Sequence, residues 1–434
     1  SMMADLRRKL MEQKELEIMK EVVIVSACRT AIGTFGGTLK GLHVVNLASA
    51  VMKEAIKRSG IDPAIIDDVR FGSMYEHHTS MNVARVASLQ AGVPSTTNAV
   101  TINRVCVSGM ESVISGMAMI QTGLAEVILA GGAEHMSGVP YAVPGARWGC
   151  RLQNNTLDDM LIEGLMCGAR LNTCPDEGPL AGASPYDMFI GKPYIMGHTA
   201  EFLAQMYNIS REEMDEVALR SHNNVERATI EGDFAEEIVP LDVPVKKGKP
   251  PILFDKDEHY RPGLTMDALR KLPPAFIPKV GKVTAGNASG LNDGASAMIV
   301  MSAVKAKELG LKPIARIRGA GYGGCHPTIM GLSPAPAVRD LMKRSGFSLE
   351  DFELIELNEA FAAQYLGCEK ELGINREICN VNGSGIGLGH PIGATGNRIM
   401  VTLMHAMKKR GKTLGLATLC GGGGVSMATA IEML

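Results

Sequence analysis

With 434 residues, 46% of them hydrophobic and 21% charged, the chain holds enough apolar material for two or three packed units and too little charge for disorder. A formal net charge of −2 supplies no basic field, which excludes nucleic acid as a natural partner. Nine cysteines without a CxxC pair argue against a disulfide framework or zinc ribbon and for a reducing compartment.

Ser1-Met2-Met3 reads as an added start. Residues 4–20 predict a charged amphipathic extension, with Leu6, Leu10 and Leu16 on one face. Asp5, Glu12, Glu15 and Glu17 argue against an organelle transit peptide, and no signal-peptide core is present. No apolar run reaches membrane-spanning length, so a cytoplasmic location is the default expectation. Residues 50–60 (AVMKEAIKRSG) read as the end of an amphipathic helix capped by Gly60, followed by a strand at Val69-Arg70-Phe71. Cys106-Val-Ser-Gly opens a helical stretch from Met110 to Thr122. A buried strand, Val127 to Ala130, then ends in Gly131-Gly132. Residues 136–291 are rich in Pro, Gly and Met, with helices near 199–207 and 211–230, and read as an inserted loop domain. Within it, Cys150, Cys167 and Cys174 lack the paired spacing of zinc ligands, so no metal site is expected.

The pattern then recurs. Residues 337–346 (AVRDLMKRSG) repeat the first helix end, with Lys343-Arg344-Ser345-Gly346 matching Lys57-Arg58-Ser59-Gly60. A strand follows at Leu354 to Leu357, and Gly72 falls opposite Asn358. His390-Pro-Ile-Gly opens a helix from Arg398 to Lys408, and a strand from Leu414 to Leu419 ends in Cys420 and four glycines. Strands alternating with helices in this order predict a duplicated α/β architecture: an N-terminal half over 21–135 with about 292–310, and a C-terminal half over 311–434.

Four polar residues fall at equivalent strand ends of the two halves, where doubly wound sheets collect their ligands. Cys106 stands at a strand-to-helix junction, where the helix dipole favours thiolate; the bland alternative is a small buried cysteine. His390 lies between glycines and before Pro391, which suits the first turn of a helix; it reads equally as a helix-start hydrogen bonder. Cys420 precedes a glycine run whose N–H groups can point at an oxyanion; the alternative is a tight turn. Asn358 reads as a water ligand or a helix N-cap.

These motifs, in this order, resemble the thiolase family: VCVSGM around Cys106, MGHTAE from Met196, TAGNASGLNDGA from Thr284, NEAFA from Asn358, GLGHPIGATG around His390 and CGGGG from Cys420. The resemblance runs from about Glu21 to Leu434. It implies a five-layered α-β-α-β-α fold of two similar βαβαβαββ-type halves with a loop domain, and homodimers or homotetramers. It also implies acyl-CoA thioesters and free coenzyme A as substrates, with no metal or tightly bound cofactor. On that resemblance Cys106 is the nucleophile, deprotonated by His390, and Cys420 is the general acid/base at the acetyl α-carbon. His390 and a water on Asn358 form one oxyanion hole; the N–H groups of Cys106 and Gly422 form the other. Ser289 is expected on the pantetheine arm, Arg261 near the adenine end, and Ala285 among the coenzyme A-binding residues. Met196, Met330, Phe276 and Phe361 are expected to line the acyl and pantetheine channel, with ordinary core packing as the alternative.

Two departures bear on substrate. Acetoacetyl-specific members commonly carry His before the Met-Gly corresponding to Met196-Gly197, where this chain has Ile195, although TAGNASGLNDG resembles their branch. The stretch 164–195 also looks longer than the usual loop beside the acyl site. Acetoacetyl-CoA chemistry therefore leads, with cleavage of longer or unusual 3-ketoacyl-CoA in β-oxidation as the alternative. The presence of both Cys106 and Cys420 disfavours a related condensing synthase, and a silent acyl-CoA-binding scaffold is the reading from another class.

Overall fold

The computed structural model describes residues 3, 5, 7–9, 11, 21–176, 178–245 and 248–434. The helix expected over 4–20 lies largely outside the described residues.

The first half runs β1 (Val22–Thr30), α1 (Val44–Ser59), β2 (Asp68–Gly72), α2 (Val83–Gln90), β3 (Asn98–Ile102), α3 (Ser108–Gln121) and β4 (Val127–His135). A long excursion follows, with helices α4 (Met196–Met206) and α5 (Arg211–Ile230). The chain returns through β5 (Asn292–Ser302), which pairs with both β1 and β4. The second half runs β6 (Ala315–Gly324), α6 (Pro334–Ser345), β7 (Leu354–Leu357), α7 (Ala362–Leu372), α8 (Ile392–Arg410), β8 (Leu414–Gly421) and β9 (Val425–Met433).

Strand order repeats between the halves. The first reads β1-β5-β4-β2-β3 and the second β6-β9-β8-β7, with a parallel bridge between Ile355 and Cys379 standing where β3 pairs with β2. The two sheets meet where β1 pairs with β6 at Val23–Arg316 and Ile24–Ala315. The repeated Lys-Arg-Ser-Gly has a common cause: Gly60 and Gly346 end α1 and α6 in the left-handed conformation, at φ 71° and 78°. Helices α1 and α2 cover the outer face of the first sheet and α6 that of the second, with α7 alongside it. Helices α3 and α8 pack between the sheets, α8 touching strands of both. This is the five-layered arrangement of two similar halves. Strands β1, β4 and β5 are buried along their whole length, as strands covered on both faces must be.

One element differs from expectation. The strand beginning at Val127 does not stop at Gly131-Gly132 but continues to His135. The glycines are there for close approach. A Cβ on Gly132 would overlap the carbonyl oxygen of Gly393, at the start of α8. The same contact recurs around the central layer: a Cβ on Gly72 would lie 2.6 Å from the Ser108 carbonyl carbon, one on Gly109 2.7 Å from Asn397 N, and one on Gly396 2.5 Å from Met110 N. Glycine at these positions lets the first turns of α3 and α8 touch backbone to backbone. Among the described residues no helix is long and apolar enough to cross a membrane.

Gly132→Ala should separate α8 from β4. Overpacking of this kind costs about 1–3 kcal/mol, so thermal denaturation should show a clearly lowered Tm. An unchanged Tm would mean that the central layer yields at no cost.

Candidate active site

Cys106 stands two residues before α3, on a turn whose preceding residue, Val105, has φ 49°. A β-branched residue in the left-handed region is strained, and such strain concentrates at functional sites. The turn is held by Ser108, whose hydroxyl accepts from Arg104 N at 2.8 Å and donates to Val105 O at 2.5 Å. The N–H of Val105 donates to Asn103 Oδ1 at 3.0 Å. The N–H groups of Cys106 itself and of Gly422 both point at the Cys106 sulfur. The thiolate expected from the helix dipole does not prevail: burial pushes the thiol up to about 11, and the two N–H groups offset this only in part. Cys106 therefore rests as a thiol.

His390 supplies an imidazole. It lies just ahead of α8, with Pro391 as N-cap rather than inside the first turn. Asn292, from β5, accepts the His390 N–H at 2.8 Å, while its own amide donates to Gly33 O at 3.0 Å. His390 Nδ1 lies 2.6 Å from Thr395 Oγ1; Nε2 is buried with no hydrogen-bond partner. Burial, with a smaller contribution from the Arg398 charge, pushes the ring down to about 3, so it is neutral at physiological pH.

Asn358 follows β7, but the next helix begins only at Ala362 with Phe361 as its N-cap, which removes the capping alternative. Its amide is wholly buried and neither the nitrogen nor the oxygen has a partner. Buried polar atoms left this way ordinarily meet a water or a ligand. Cys420 is the last but one residue of β8, fully buried, and its thiol is pushed well up by burial and then by nearby Cys106. Gly423 and Gly424, at φ 82° and 87°, turn the chain into β9 and set the Gly422 N–H toward Cys106.

A cavity of about 120 Å³ joins two of these groups, Cys106 and His390. Cys106 and His390 line it together with Ser289, Met196, Met330, Phe276 and Phe361, all singled out from sequence. A short antiparallel bridge, Ala288 to Phe361, brings the loop segment carrying Ser289 against the second half. Gly197 leaves room for the Phe276 ring, which meets Phe361 edge-on at 6.2 Å. Asn358 and Cys420 are buried outside the cavity lining. Arg261 and Ala285 are exposed and not part of the cavity; the Arg261 N–H donates to His222 at 3.2 Å. Ile195 and Leu165 also line it. A larger hollow of about 600 Å³, lined in part by Met81, Met160, Gly164 and Cys167, opens beyond the 164–167 turn but contains neither Cys106 nor His390. Among the described residues no cluster of His, Cys, Asp or Glu could hold a metal ion.

Three supporting residues escaped the sequence reading. Asn292 and Thr395 lie inside motifs already noted, yet nothing in their spacing reveals the atoms they hold. Glu134 sits at the end of β4 with a carboxylate accepting from Met74 N at 2.9 Å, Tyr75 N at 3.1 Å and Gly393 N at 2.8 Å. It ties the loop after β2 to the start of α8.

Sequence models described as "Thiolase, N-terminal domain" and "Thiolase, C-terminal domain" match residues 22–173 with 184–304, and 311–433. The chain belongs to the thiolase family. The break between 173 and 184 falls inside the stretch expected to be longer than usual. An acetyl-CoA acetyltransferase of Syntrophomonas wolfei is 46% identical over 420 residues, covering 96% of this chain and all of that one. The crystal structure of Bacillus anthracis acetyl-CoA acetyltransferase superposes with a TM-score of 0.87 at 48% identity, covering 95% of this chain and 99% of the other. Human mitochondrial 3-ketoacyl-CoA thiolase in complex with CoA superposes at 0.86 with 37% identity, covering 96% and 99%.

Glu134→Gln turns an amide N–H₂ toward backbone donors. Leaving such buried donors unsatisfied costs about 1–3 kcal/mol, so urea unfolding should register that loss. Unchanged stability would mean the carboxylate is dispensable to the junction.

Proposed function

We propose that this thiolase catalyses reversible Claisen condensation and thiolysis, joining two acetyl-CoA into acetoacetyl-CoA and free CoA through an acyl-enzyme on Cys106. The observation that carries the reading is a buried thiol with two backbone N–H groups aimed at its sulfur, sharing one small cavity with a neutral imidazole whose Nε2 is unpaired.

The proton balance assigns the roles. In condensation the Cys106 sulfur attacks the thioester carbon and its proton passes to His390 Nε2. The N–H groups of Cys106 and Gly422 take the oxyanion that forms. The departing CoA thiolate receives the proton of Cys420. The Cys420 thiolate then removes an α-proton from a second acetyl-CoA. The enolate oxygen is held by His390 Nε2–H and a water on the Asn358 amide. Attack of the enolate on the acyl group releases the Cys106 thiolate, which recovers its proton from His390. Every group returns to its starting state, and no cofactor beyond coenzyme A itself is needed. The high resting values of both thiols suit this cycle, since each gives up its proton only within a step.

The catalytic cavity of about 120 Å³ is small for a ligand pocket, which favours a short acyl group. The relatives named acetyl-CoA acetyltransferase point the same way. The alternative, a longer or unusual 3-ketoacyl group, draws on Ile195 in the cavity wall and on the hollow beyond the 164–167 turn. Arg261 remains our assignment for the adenine end of coenzyme A and Ser289 for the pantetheine arm, with Ala285 as a further coenzyme A contact. We further propose the division into an extension over 1–20, halves over 21–135 with 292–310 and over 311–434, and a loop domain over 136–291, together with a homodimer or homotetramer in the cytoplasm.

The test is thiolysis of 3-ketoacyl-CoA substrates of increasing chain length. Acetoacetyl-CoA should be cleaved fastest, and Cys106→Ala should abolish turnover. Asn358→Ala should lower kcat by roughly 10²–10³, the usual loss for one oxyanion-hole donor. A preference for longer chains would transfer the assignment to the alternative; no turnover with any thioester would overturn it.

A further inference from the structure

In the cycle above one nitrogen of His390 has two duties. Nε2 must first be bare, to take the Cys106 proton, and must then carry that proton to the enolate oxygen. Both duties are met by one ring only if Nδ1 keeps its own hydrogen throughout. Resting on that reading, we propose that Thr395 is a positioning residue that fixes this protonation pattern.

Thr395 lies in the first turn of α8 and is wholly buried. Its oxygen is 2.6 Å from His390 Nδ1 and 3.0 Å from the carbonyl oxygen of Pro391. A hydroxyl has one hydrogen to give and lone pairs to accept. Two arrangements fit these distances. In the first, the hydroxyl donates to Pro391 O and accepts from Nδ1–H, and Nε2 is bare. In the second, the hydroxyl donates to Nδ1, and Nε2 carries the hydrogen. The first makes two hydrogen bonds. The second makes one and leaves a buried Nε2–H with nothing to donate to, since Nε2 has no partner. An unpaired buried donor is the costlier defect. The free enzyme therefore holds Nδ1–H, with the Nε2 lone pair free to accept.

The same bond serves the next step. When Nε2 takes the Cys106 proton the ring becomes an imidazolium in a site that disfavours charge. The Nδ1–H bond to Thr395 then becomes charge-assisted and stronger. Thr395 touches neither substrate nor sulfur; it acts through the ring. Ile392-Gly-Ala-Thr395 is the first turn of α8, so the helix that His390 immediately precedes also supplies its hydrogen-bond partner.

The test compares Thr395→Val, which keeps the shape and removes the hydroxyl, with Thr395→Ser, which restores it. The first readout is the single-turnover rate of acyl transfer from acetyl-CoA to Cys106. The second is the ¹⁵N spectrum of histidine-labelled protein without substrate, with His390 assigned by a His390→Gln variant. The wild type should show Nδ1 protonated and Nε2 bare. Thr395→Val should slow acylation by roughly 10²-fold, within the range of a lost general base, with KM for acetoacetyl-CoA little changed and the His390 hydrogen moved to Nε2. Thr395→Ser should restore both rate and spectrum. Acylation of Thr395→Val at the wild-type rate, or a wild-type ring already protonated on Nε2, would overturn the proposal. The wild-type spectrum decides even if Thr395→Val does not fold. Failure of the thiolase reading looks different: wild-type Cys106 would never acylate, whatever the spectrum.

Discussion

The backbone contact between the first turns of α3 and α8 is the constraint on which the rest depends. Cys106 and His390 come from opposite halves of the chain, nearly three hundred residues apart, and neither helix could bring them together if side chains separated the two backbones. Gly109 and Gly396 remove that obstacle on the helices, and Gly72 and Gly132 remove it on the strands beneath. The sheets then hold the crossing from both sides, with α8 in contact with each. Glu134 closes the junction by binding the first residues of α8 to the loop after β2. A site assembled this way is as rigid as the core around it, which suits chemistry that depends on placing donors within a few tenths of an ångström.

Burial of the two cysteines has a consequence for mechanism. Both thiols are held well above the usual range, and the dipole and N–H groups beside Cys106 do not overcome desolvation. In the proposed cycle, reactivity therefore has to come from proton transfer within each step and not from a standing thiolate. The same desolvation keeps His390 neutral and ready to accept. The orphaned amide of Asn358 belongs to this economy of groups: a side chain that pairs with nothing in the protein is available to order a water against the substrate.

The duplication was legible because its cause is local. A glycine needed for a left-handed helix end leaves the same four letters twice, at Gly60 and Gly346. The residues around the cavity were legible because they stand in motifs at strand ends, and the four expected channel residues and Ser289 do line it with Cys106 and His390. What the sequence hid depends on tertiary partners. Gly131-Gly132 looks like a strand terminus until α8 is seen pressing on it. Thr395, Asn292 and Glu134 are ordinary polar residues whose importance lies in the single atoms they bind. The thiolate expectation for Cys106 failed because spacing reveals a helix start but not the depth at which it is buried. Arg261 and Ala285 lie on the exposed surface, beyond the reach of the cavity that organises the other residues.

The proposed cycle requires Cys106 to become acylated beside His390. The most direct measurement is peptide mapping by mass spectrometry after acetyl-CoA is mixed with the enzyme and rapidly quenched. One acetyl group per chain, confined to the peptide containing Cys106 and discharged by added CoA, is the predicted result. Acetylation elsewhere, or none while acetoacetyl-CoA is still being formed, would contradict the account.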